Sequence, residues 1–176
     1  DLRLGDAFAR PDNAMAYAAC RQATSGSFAE GSVGAGTGAT VGKLFGIMRA
    51  TKSGLGSAAL SLPGGLKVGA LAVVNAFGDV RDPATGALVA GAREAPDSRA
   101  LADTAAAMRR GIVPRGYKPE NTTLAVVAAN ARLSKVEATK IAQMAQHGLV
   151  RTVTPVHTTL DGDLVISLAT GEVEAE

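Results

Sequence analysis

Residues 120–127 read ENTTLAVV, and this short stretch marks the change from a polar loop to an apolar strand. The preceding loop, residues 112–121, contains prolines and a glycine, whereas residues 122–129 have the pattern of a buried strand. Asn121-Thr122-Thr123 also fits the N-x-[ST] pattern of a glycosylation acceptor. That pattern matters only in a secreted chain, and the opening DLRLGDAFARPDN does not have the features of a signal peptide. The junction therefore needs another explanation.

The composition indicates one domain with a core of small aliphatic side chains. The 176 residues are 47% hydrophobic but only 3% aromatic, so Ala, Val, Leu and Ile must pack closely against glycine. The net charge is +2 without a basic stripe, which gives no support for nucleic-acid binding. No apolar run reaches the ~18 residues of a membrane span. With one cysteine, Cys20, an internal disulfide framework is excluded, and we expect a cytoplasmic protein.

The order of predicted elements favours an α+β fold. Helices are predicted at residues 11–23, 98–110 and 134–148, with Asp97 or Ser98 capping the second and a Ser134–Glu137 capping box opening the third. Strands are predicted at residues 66–77, 87–92, 122–129, 150–158 and 163–170. Helices and strands do not alternate regularly, so we expect α+β layers rather than a doubly wound parallel sheet. The chain opens without Met and stops just after a strand, so we expect residues 1–176 to form one incomplete domain.

The glycine-rich segment 31–43, GSVGAGTGATVGK, does not fit the nucleotide-binding patterns. Its G-x-G-x-x-A match lacks a convincing preceding strand, and residues 54–66 contain no acidic residue to hold a ribose. The P-loop pattern fails because Leu44 follows Lys43 and Thr37 stands where the first glycine is required. No cofactor is therefore expected. Lys43 is either an ordinary surface lysine or a partly buried one that orients a neighbour.

Other polar residues give weaker signals. His157, Asp161 and Asp163 have a spacing that could suggest a metal site, but Asp-Gly-Asp is also common turn chemistry, and no metal is expected. Asn75 ends an apolar strand, where a buried amide is either structural or a donor to a ligand. His147 is expected to cap a helix C-terminus.

Thr122 has a more specific chemical interpretation. A threonine hydroxyl is a weak nucleophile unless a base adjoins it. If the bond before Thr122 were cut, its own α-amino group, with a pKa near ~8, would become that base. Such a residue needs an accessible loop before it and a rigid strand after it, as residues 112–121 and 122–129 provide. The local pattern alone favours a plain loop-to-strand junction, because short motif matches are often accidental.

Three segments together resemble one enzyme family. They are RPDNAMAYAAC from residue 10, EGSVGAGTGATVGK from residue 30, and ENTTLAVVAANARLSKVEATKIAQMAQHGLVRTVTPVHTTLDGDLVISLATGE from residue 120. In this order they resemble the L-aminopeptidase/D-esterase family, which also holds the β-peptidyl aminopeptidases and the nylon-oligomer (6-aminohexanoate) endo-hydrolases. The resemblance covers nearly the whole chain, and Asn-Thr-Thr matches its threonine-nucleophile branch.

The resemblance implies a self-cleaving N-terminal-nucleophile hydrolase with a four-layer αββα sandwich. Cleavage between Asn121 and Thr122 would divide the chain into residues 1–121, the end of an α-subunit, and residues 122–176, a β-subunit that begins with the nucleophile. The expected substrates are small peptides or amides, without a nucleic-acid or membrane partner. A homotetramer of αβ heterodimers is expected. The family also has an active-site tyrosine in a segment before this chain begins.

The resemblance also implies a role for each matched site residue. Thr122 would be the nucleophile, Asn75 would stabilise the oxyanion, and Lys43 would lie near the nucleophile. Asp161 and Asp163 would orient its amine and hydroxyl. Acyl transfer of the ornithine acetyltransferase type and pantetheine-type amide hydrolysis remain alternatives, as does a binding domain without catalytic activity.

Overall fold

The computed structural model describes residues 4, 6, 8–114 and 121–174. The described helices are α1 (Asn13–Gln22), α2 (Thr104–Arg109) and α3 (Lys135–Thr152). The described strands are β1 (Thr40–Val41), β2 (Thr51–Lys52), β3 (Leu55–Ser61), β4 (Lys67–Asn75), β5 (Asp79–Arg81), β6 (Leu88–Ala90), β7 (Thr122–Ala131), β8 (Val153–Thr154) and β9 (Leu164–Val173). None of the helices within these ranges has the length and apolar character needed to cross a bilayer.

The largest sheet has four strands in the order β3-β4-β7-β9. The first three are antiparallel neighbours, whereas β9 lies parallel to β7, and α3 makes the crossover between them. In this arrangement the beginning of β7, the end of β4 and the beginning of β9 meet at one edge of the sheet.

Helix α3 covers one face of this sheet. Its N-terminus carries the predicted capping box, in which the Ser134 side chain accepts the Glu137 N–H and the Glu137 side chain accepts the Ser134 N–H. Leu149 of α3 packs against Ala125 of β7 and Val165 of β9, and all three are buried. This apolar contact holds the βαβ unit together.

The opposite face of the sheet carries Thr122, Leu124 and Leu164. Pairing fixes this, because Leu124 is opposite Val73 and Leu164, whereas Ala125 is opposite Ala72 and Val165. Leu124, Leu164, Ile166 and Leu168 are each about half exposed, between 48% and 52%. One face of these strands is therefore covered by α3, whereas the aliphatic side chains on the other face stay about half exposed.

A second sheet, β6-β5-β8, is organised around a buried carboxylate. Asp79 accepts the N–H groups of Ala92 and Thr104 at 2.8 and 2.6 Å, and the Thr104 hydroxyl at 2.7 Å. Burial raises the pKa of Asp79, and these three donors only partly offset the effect. Asp79 thereby ties β5 to the beginning of α2.

Several predicted elements are confirmed with modified ends. Predicted strands 66–77, 87–92, 122–129 and 163–170 correspond to β4, β6, β7 and β9, and the first predicted helix corresponds to α1. The second helix is shorter than predicted, because its N-cap is Asp103, whose side chain accepts the Ala106 N–H, rather than Asp97 or Ser98. Most of the predicted loop 112–121 lies outside the described residues.

Two predictions at the end of α3 were wrong. The helix does not stop at Gly148 but continues to Thr152, because Leu149 is needed in the core. The predicted strand 150–158 is accordingly reduced to β8. The sequence analysis also missed β3, whose small residues show no alternation of polarity; its place is fixed by pairing with β4 along its whole length.

Candidate active site

Asn121 and Thr122 lie at the end of the four-stranded sheet where β7 begins. The chain is continuous between them, so the geometry is that of the uncleaved polypeptide. Thr122 Oγ1 donates a hydrogen bond to the carbonyl oxygen of Asn121 over 2.5 Å. Thr122 is partly buried and Asn121 is buried. The hydroxyl thus lies beside the carbonyl group of the peptide bond that the sequence analysis marked as the cut site.

A backbone N–H from the turn before β9 reaches the same carbonyl. Asn121 forms a parallel bridge with Asp161, in the register of the β7–β9 pairing. Through this bridge Gly162 N–H donates to the Asn121 carbonyl oxygen over 2.8 Å. The Asn121 side chain is fixed as well, since its Nδ2 donates to Leu160 O at 2.9 Å. The Asn121 carbonyl oxygen therefore accepts two hydrogen bonds, one from the Thr122 side chain and one from the Gly162 backbone.

Asp163 binds Thr123, the residue after Thr122. Its Oδ1 accepts the backbone N–H of Thr123 at 2.8 Å, and its Oδ2 is 2.8 Å from His157 Nδ1. The Asp163 side chain is only 4% exposed, while the His157 side chain is 37% exposed. His157 takes a positive φ of 51°, which is uncommon for a residue other than glycine. The spacing that could have suggested a metal site instead forms a histidine–carboxylate pair.

Asp161 holds a different part of the site. Its Oδ1 accepts the Phe77 N–H at 2.9 Å, and its Oδ2 accepts the Thr158 hydroxyl at 2.6 Å. Phe77 lies two residues beyond Asn75, so Asp161 connects the turn before β9 to the chain that leaves β4. In the uncleaved chain, Asp163 therefore binds the residue after Thr122, whereas Asp161 reaches the junction only through its backbone bridge with Asn121.

Asn75 forms a polar pair with Lys43. Asn75 ends β4 and lies opposite Thr122 in the antiparallel ladder. Its Oδ1 accepts Lys43 Nζ at 2.6 Å and the Thr40 N–H at 3.1 Å, and its backbone oxygen also accepts Lys43 Nζ at 3.1 Å. With Oδ1 engaged by two donors, Nδ2 is the donating half of the amide. Lys43 is 1% exposed, so it is not the surface lysine of the alternative interpretation.

The glycine-rich segment makes the burial of Lys43 sterically feasible. Gly42 has a positive φ of 73°, and a Cβ placed on it would lie 1.8 Å from Ala92 N. Only glycine allows the backbone to run this close to residues 91–92. The next residue is then fixed by a hydrogen bond from Lys43 N–H to Phe77 O at 2.9 Å. The segment therefore places the Lys43 side chain in the interior.

A small cavity of about 160 Å³ opens onto Thr122 and Asn75. Its other lining residues are small or aliphatic: Ala35, Ala39, Val73 and Leu124. A threonine hydroxyl and a side-chain amide thus line the same, otherwise apolar pocket. Small-molecule sites in proteins are typically of this kind, mostly apolar with a few polar groups.

The structure brings together all six residues singled out from the sequence: Lys43, Asn75, Asn121, Thr122, Asp161 and Asp163. The sequence analysis missed Gly162, which contacts the junction through its backbone. It grouped His157 with Asp161 and Asp163 only as a possible metal site and did not predict the hydrogen bond between His157 and Asp163. The Asp161-Gly162-Asp163 turn did carry a signal, since both of its carboxylates were singled out. A backbone donor has no residue type of its own, so only the register of β7 against β9 reveals it.

Comparisons with known proteins identify the family of the chain. The family model of peptidase family S58 matches residues 1–176, and the chain belongs to this family. An uncharacterized aminopeptidase of Mycobacterium tuberculosis is 43% identical over 181 residues, which cover 98% of this chain and 49% of that protein. A 6-aminohexanoate-oligomer endohydrolase of Agromyces sp. is 32% identical over 167 residues, covering 93% of this chain and 46% of the relative. The chain thus spans about half the length of the curated relatives it matches.

The fold is that of the N-terminal-nucleophile hydrolases. The L-aminopeptidase D-Ala-esterase/amidase of Ochrobactrum anthropi, described as a variant of that fold, superposes with a TM-score of 0.59 at 20% identity. The superposition covers 92% of this chain and 38% of the other. The predicted α+β fold class and the predicted family are thereby confirmed.

Proposed function

We propose that the protein is a self-cleaving amidohydrolase whose nucleophile is Thr122. The observation that carries this proposal is the hydrogen bond from Thr122 Oγ1 to the carbonyl oxygen of Asn121, at the start of a strand whose neighbours supply Asn75 and the Asp161–Asp163 turn. Cleavage of the bond between Asn121 and Thr122 frees the Thr122 α-amino group. That amine is then the general base for its own hydroxyl.

In the cleaved enzyme, Thr122 Oγ1 attacks an amide carbonyl of the substrate. The α-amine takes the hydroxyl proton and returns it to the departing amine, which leaves an ester between the acyl group and Thr122. Water then attacks the ester, with the same amine as base, and releases the carboxylic acid. No further group is required to balance these two steps.

Asn75 and Lys43 stabilise the negative charge that develops during acyl transfer. Asn75 lies opposite Thr122, and the engagement of its Oδ1 directs the amide Nδ2 as a donor. Lys43 adds a positive charge at 2.6 Å from Asn75 Oδ1, which polarises the amide and strengthens it as a donor. Such fixed donors stabilise an oxyanion without reorganisation.

Asp161 and Asp163 position the nucleophile and its amine. Asp163 accepts the N–H of Thr123, so it restrains the peptide directly after Thr122. Once the chain is cut, the new ammonium group of Thr122 lies at the same turn, where two carboxylates favour its charged form between catalytic steps. The two carboxylates thereby tune the amine between acid and base.

The substrates that fit are small peptides, amino-acid amides or oligomers of ω-amino acids. The pocket beside Thr122 is small and apolar apart from its two polar residues. This supports a short aliphatic acyl group, and relatives bear the names aminopeptidase and 6-aminohexanoate-oligomer endohydrolase. We further propose a cytoplasmic homo-oligomer, a tetramer of cleaved αβ units. The half-exposed aliphatic face beside Thr122 supports further packing onto this sheet.

Mass spectrometry of the purified full-length protein tests the proposal. We expect two chains, the second beginning with Thr122. A slowly hydrolysed amide or ester substrate should add its acyl mass only to that second chain. A single intact chain that hydrolyses such substrates at full rate would rule out the mechanism.

A further inference from the structure

We propose that the backbone N–H of Gly162 is the oxyanion donor for self-cleavage at Asn121–Thr122. The inference rests on the proposed function and assigns a catalytic contact for the maturation step. It concerns the chain's own carbonyl group, whereas Asn75 is assigned to the carbonyl group of the substrate.

The geometry singles out one carbonyl oxygen. Asn121 O accepts Gly162 N–H at 2.8 Å, which is within the range of a strong oxyanion contact. The same oxygen lies 2.5 Å from Thr122 Oγ1, so the attacking group and the stabilising donor meet at one peptide unit. The donor belongs to the backbone of a paired strand extension, and its direction is fixed before any reaction begins.

The chemistry of the step needs such a donor. Thr122 Oγ1 forms a bond to the carbonyl carbon of Asn121, and the electron pair of the C=O bond moves to the oxygen that faces Gly162 N–H. When the carbonyl re-forms, the bond between that carbon and Thr122 N breaks. The hydroxyl proton ends on this nitrogen, which leaves an ester between Asn121 and the Thr122 side chain. Water then hydrolyses the ester to give the Asn121 carboxylate and a free Thr122 with its amine and hydroxyl.

The absence of a side chain at residue 162 also has a function in this arrangement. A Cβ at Gly162 would lie 3.2 Å from Thr122 Oγ1 and 3.7 Å from Asn121 O. The first distance is tighter than an ordinary contact, so a side chain would press on the hydroxyl that must move towards the carbonyl carbon. Glycine at this position presents its N–H and leaves the nucleophile room to move.

The test replaces the Gly162 N–H by an ester oxygen, through incorporation of glycolic acid at position 162 of the full-length protein. This removes one donor and adds no atom. Self-cleavage of freshly made protein is followed by mass spectrometry, and we expect its rate to fall roughly 10²-fold, the usual effect of losing one oxyanion donor. Glycolic acid at position 86 is the matched control, because Gly86 N–H donates to Asp82 O over the same 2.8 Å in an exposed turn far along the chain. The control should cleave at the unmodified rate.

The outcomes separate this inference from the proposed function. If the unmodified protein cleaves and the position-162 ester cleaves equally fast, or if both esters slow cleavage equally, Gly162 is not the donor although the nucleophile assignment stands. If the unmodified protein never cleaves, the proposed function itself fails. A second measurement does not depend on folding of the ester: in the uncleaved Thr122→Ala variant, Gly162 N–H should exchange slowly with solvent. Exchange at the rate of an open loop would overturn the assignment.

Discussion

Thr122 and Thr123 are neighbours in sequence but lie on opposite faces of the four-stranded sheet. Thr122 faces the small pocket, pairs with Asn75 and is partly exposed. Thr123 faces the side of the sheet covered by α3, is 1% exposed and pairs with Val74. The two residues have the same hydroxyl, yet within the described residues that of Thr122 donates to a backbone carbonyl, whereas that of Thr123 is buried without a hydrogen-bond partner. The role of a threonine on this sheet therefore depends on the face it occupies and on its distance from the strand end, since the residue type is the same in both cases.

The comparison extends along the strands. On the α3 side, Ala125, Leu149 and Val165 make a buried apolar cluster that stabilises the fold. On the Thr122 side, the aliphatic residues stay about half exposed, and the polar groups gather at the one edge where β4, β7 and β9 meet. Substitutions on the two faces should therefore change different quantities.

The largest effect is expected for Thr122→Ala. This change removes the proposed nucleophile of both self-cleavage and substrate turnover, so activity should fall by more than roughly 10⁴-fold, and the protein should remain one chain. Thr122→Ser keeps a hydroxyl and should still cleave. If Thr122→Ala retained activity by a product-release assay, the distinction between the two faces would fail.

Asn75→Asp comes next. Aspartate keeps an oxygen for Lys43 Nζ and for the Thr40 N–H, but it replaces the donating NH₂ with an acceptor. We expect kcat to fall roughly 10²–10³-fold, the range for one lost oxyanion donor, with a smaller change in KM. Steady-state kinetics on the cleaved enzyme measures this. Asn75→Ala is the companion variant: it also removes the Lys43 partner, and should lower thermal stability more than Asn75→Asp does.

On the other face, Leu149→Ala should lower the free energy of unfolding by about 2–4 kcal/mol, since it leaves a cavity between α3, β7 and β9. Val150 is the matched control, because it is the next residue of the same helix and is 50% exposed. Val150→Ala should change the free energy of unfolding by less than about 0.5 kcal/mol. Urea unfolding of both variants checks the difference. Equal losses would show that α3 does not bury its Leu149 side against the sheet.

Much of this arrangement could be predicted from the sequence, because the polar residues of the candidate site stand next to segments with a clear strand pattern. Asn121, Thr122 and the Asp161–Asp163 turn stand at the ends of strands that their own composition predicts. The burial of Lys43 was left open, since it depends on a clash-free approach of Gly42 to residues 91–92 that no local pattern encodes. Strand β3 was missed because pairing with β4, rather than its own residues, defines it. The end of α3 was misplaced because a tertiary contact of Leu149 outweighed the usual signal of Gly148.

The smallest effect is expected for Thr123→Val, and its sign is its informative feature. Thr123 Oγ1 is buried, and within residues 8–114 and 121–174 it has no hydrogen-bond partner. A buried hydroxyl without a partner costs desolvation free energy, and valine fills the same space with a methyl group. We therefore expect the free energy of unfolding to rise by about 1 kcal/mol, measured by urea unfolding, while the Thr123 N–H remains bonded to Asp163. Thr123→Ala removes the hydroxyl without filling the space and should not stabilise. A loss of stability in Thr123→Val would mean that the Thr123 hydroxyl makes a stabilising hydrogen bond. The two threonines would then differ in which group their hydroxyl binds, and not in whether their face of the sheet offers a partner.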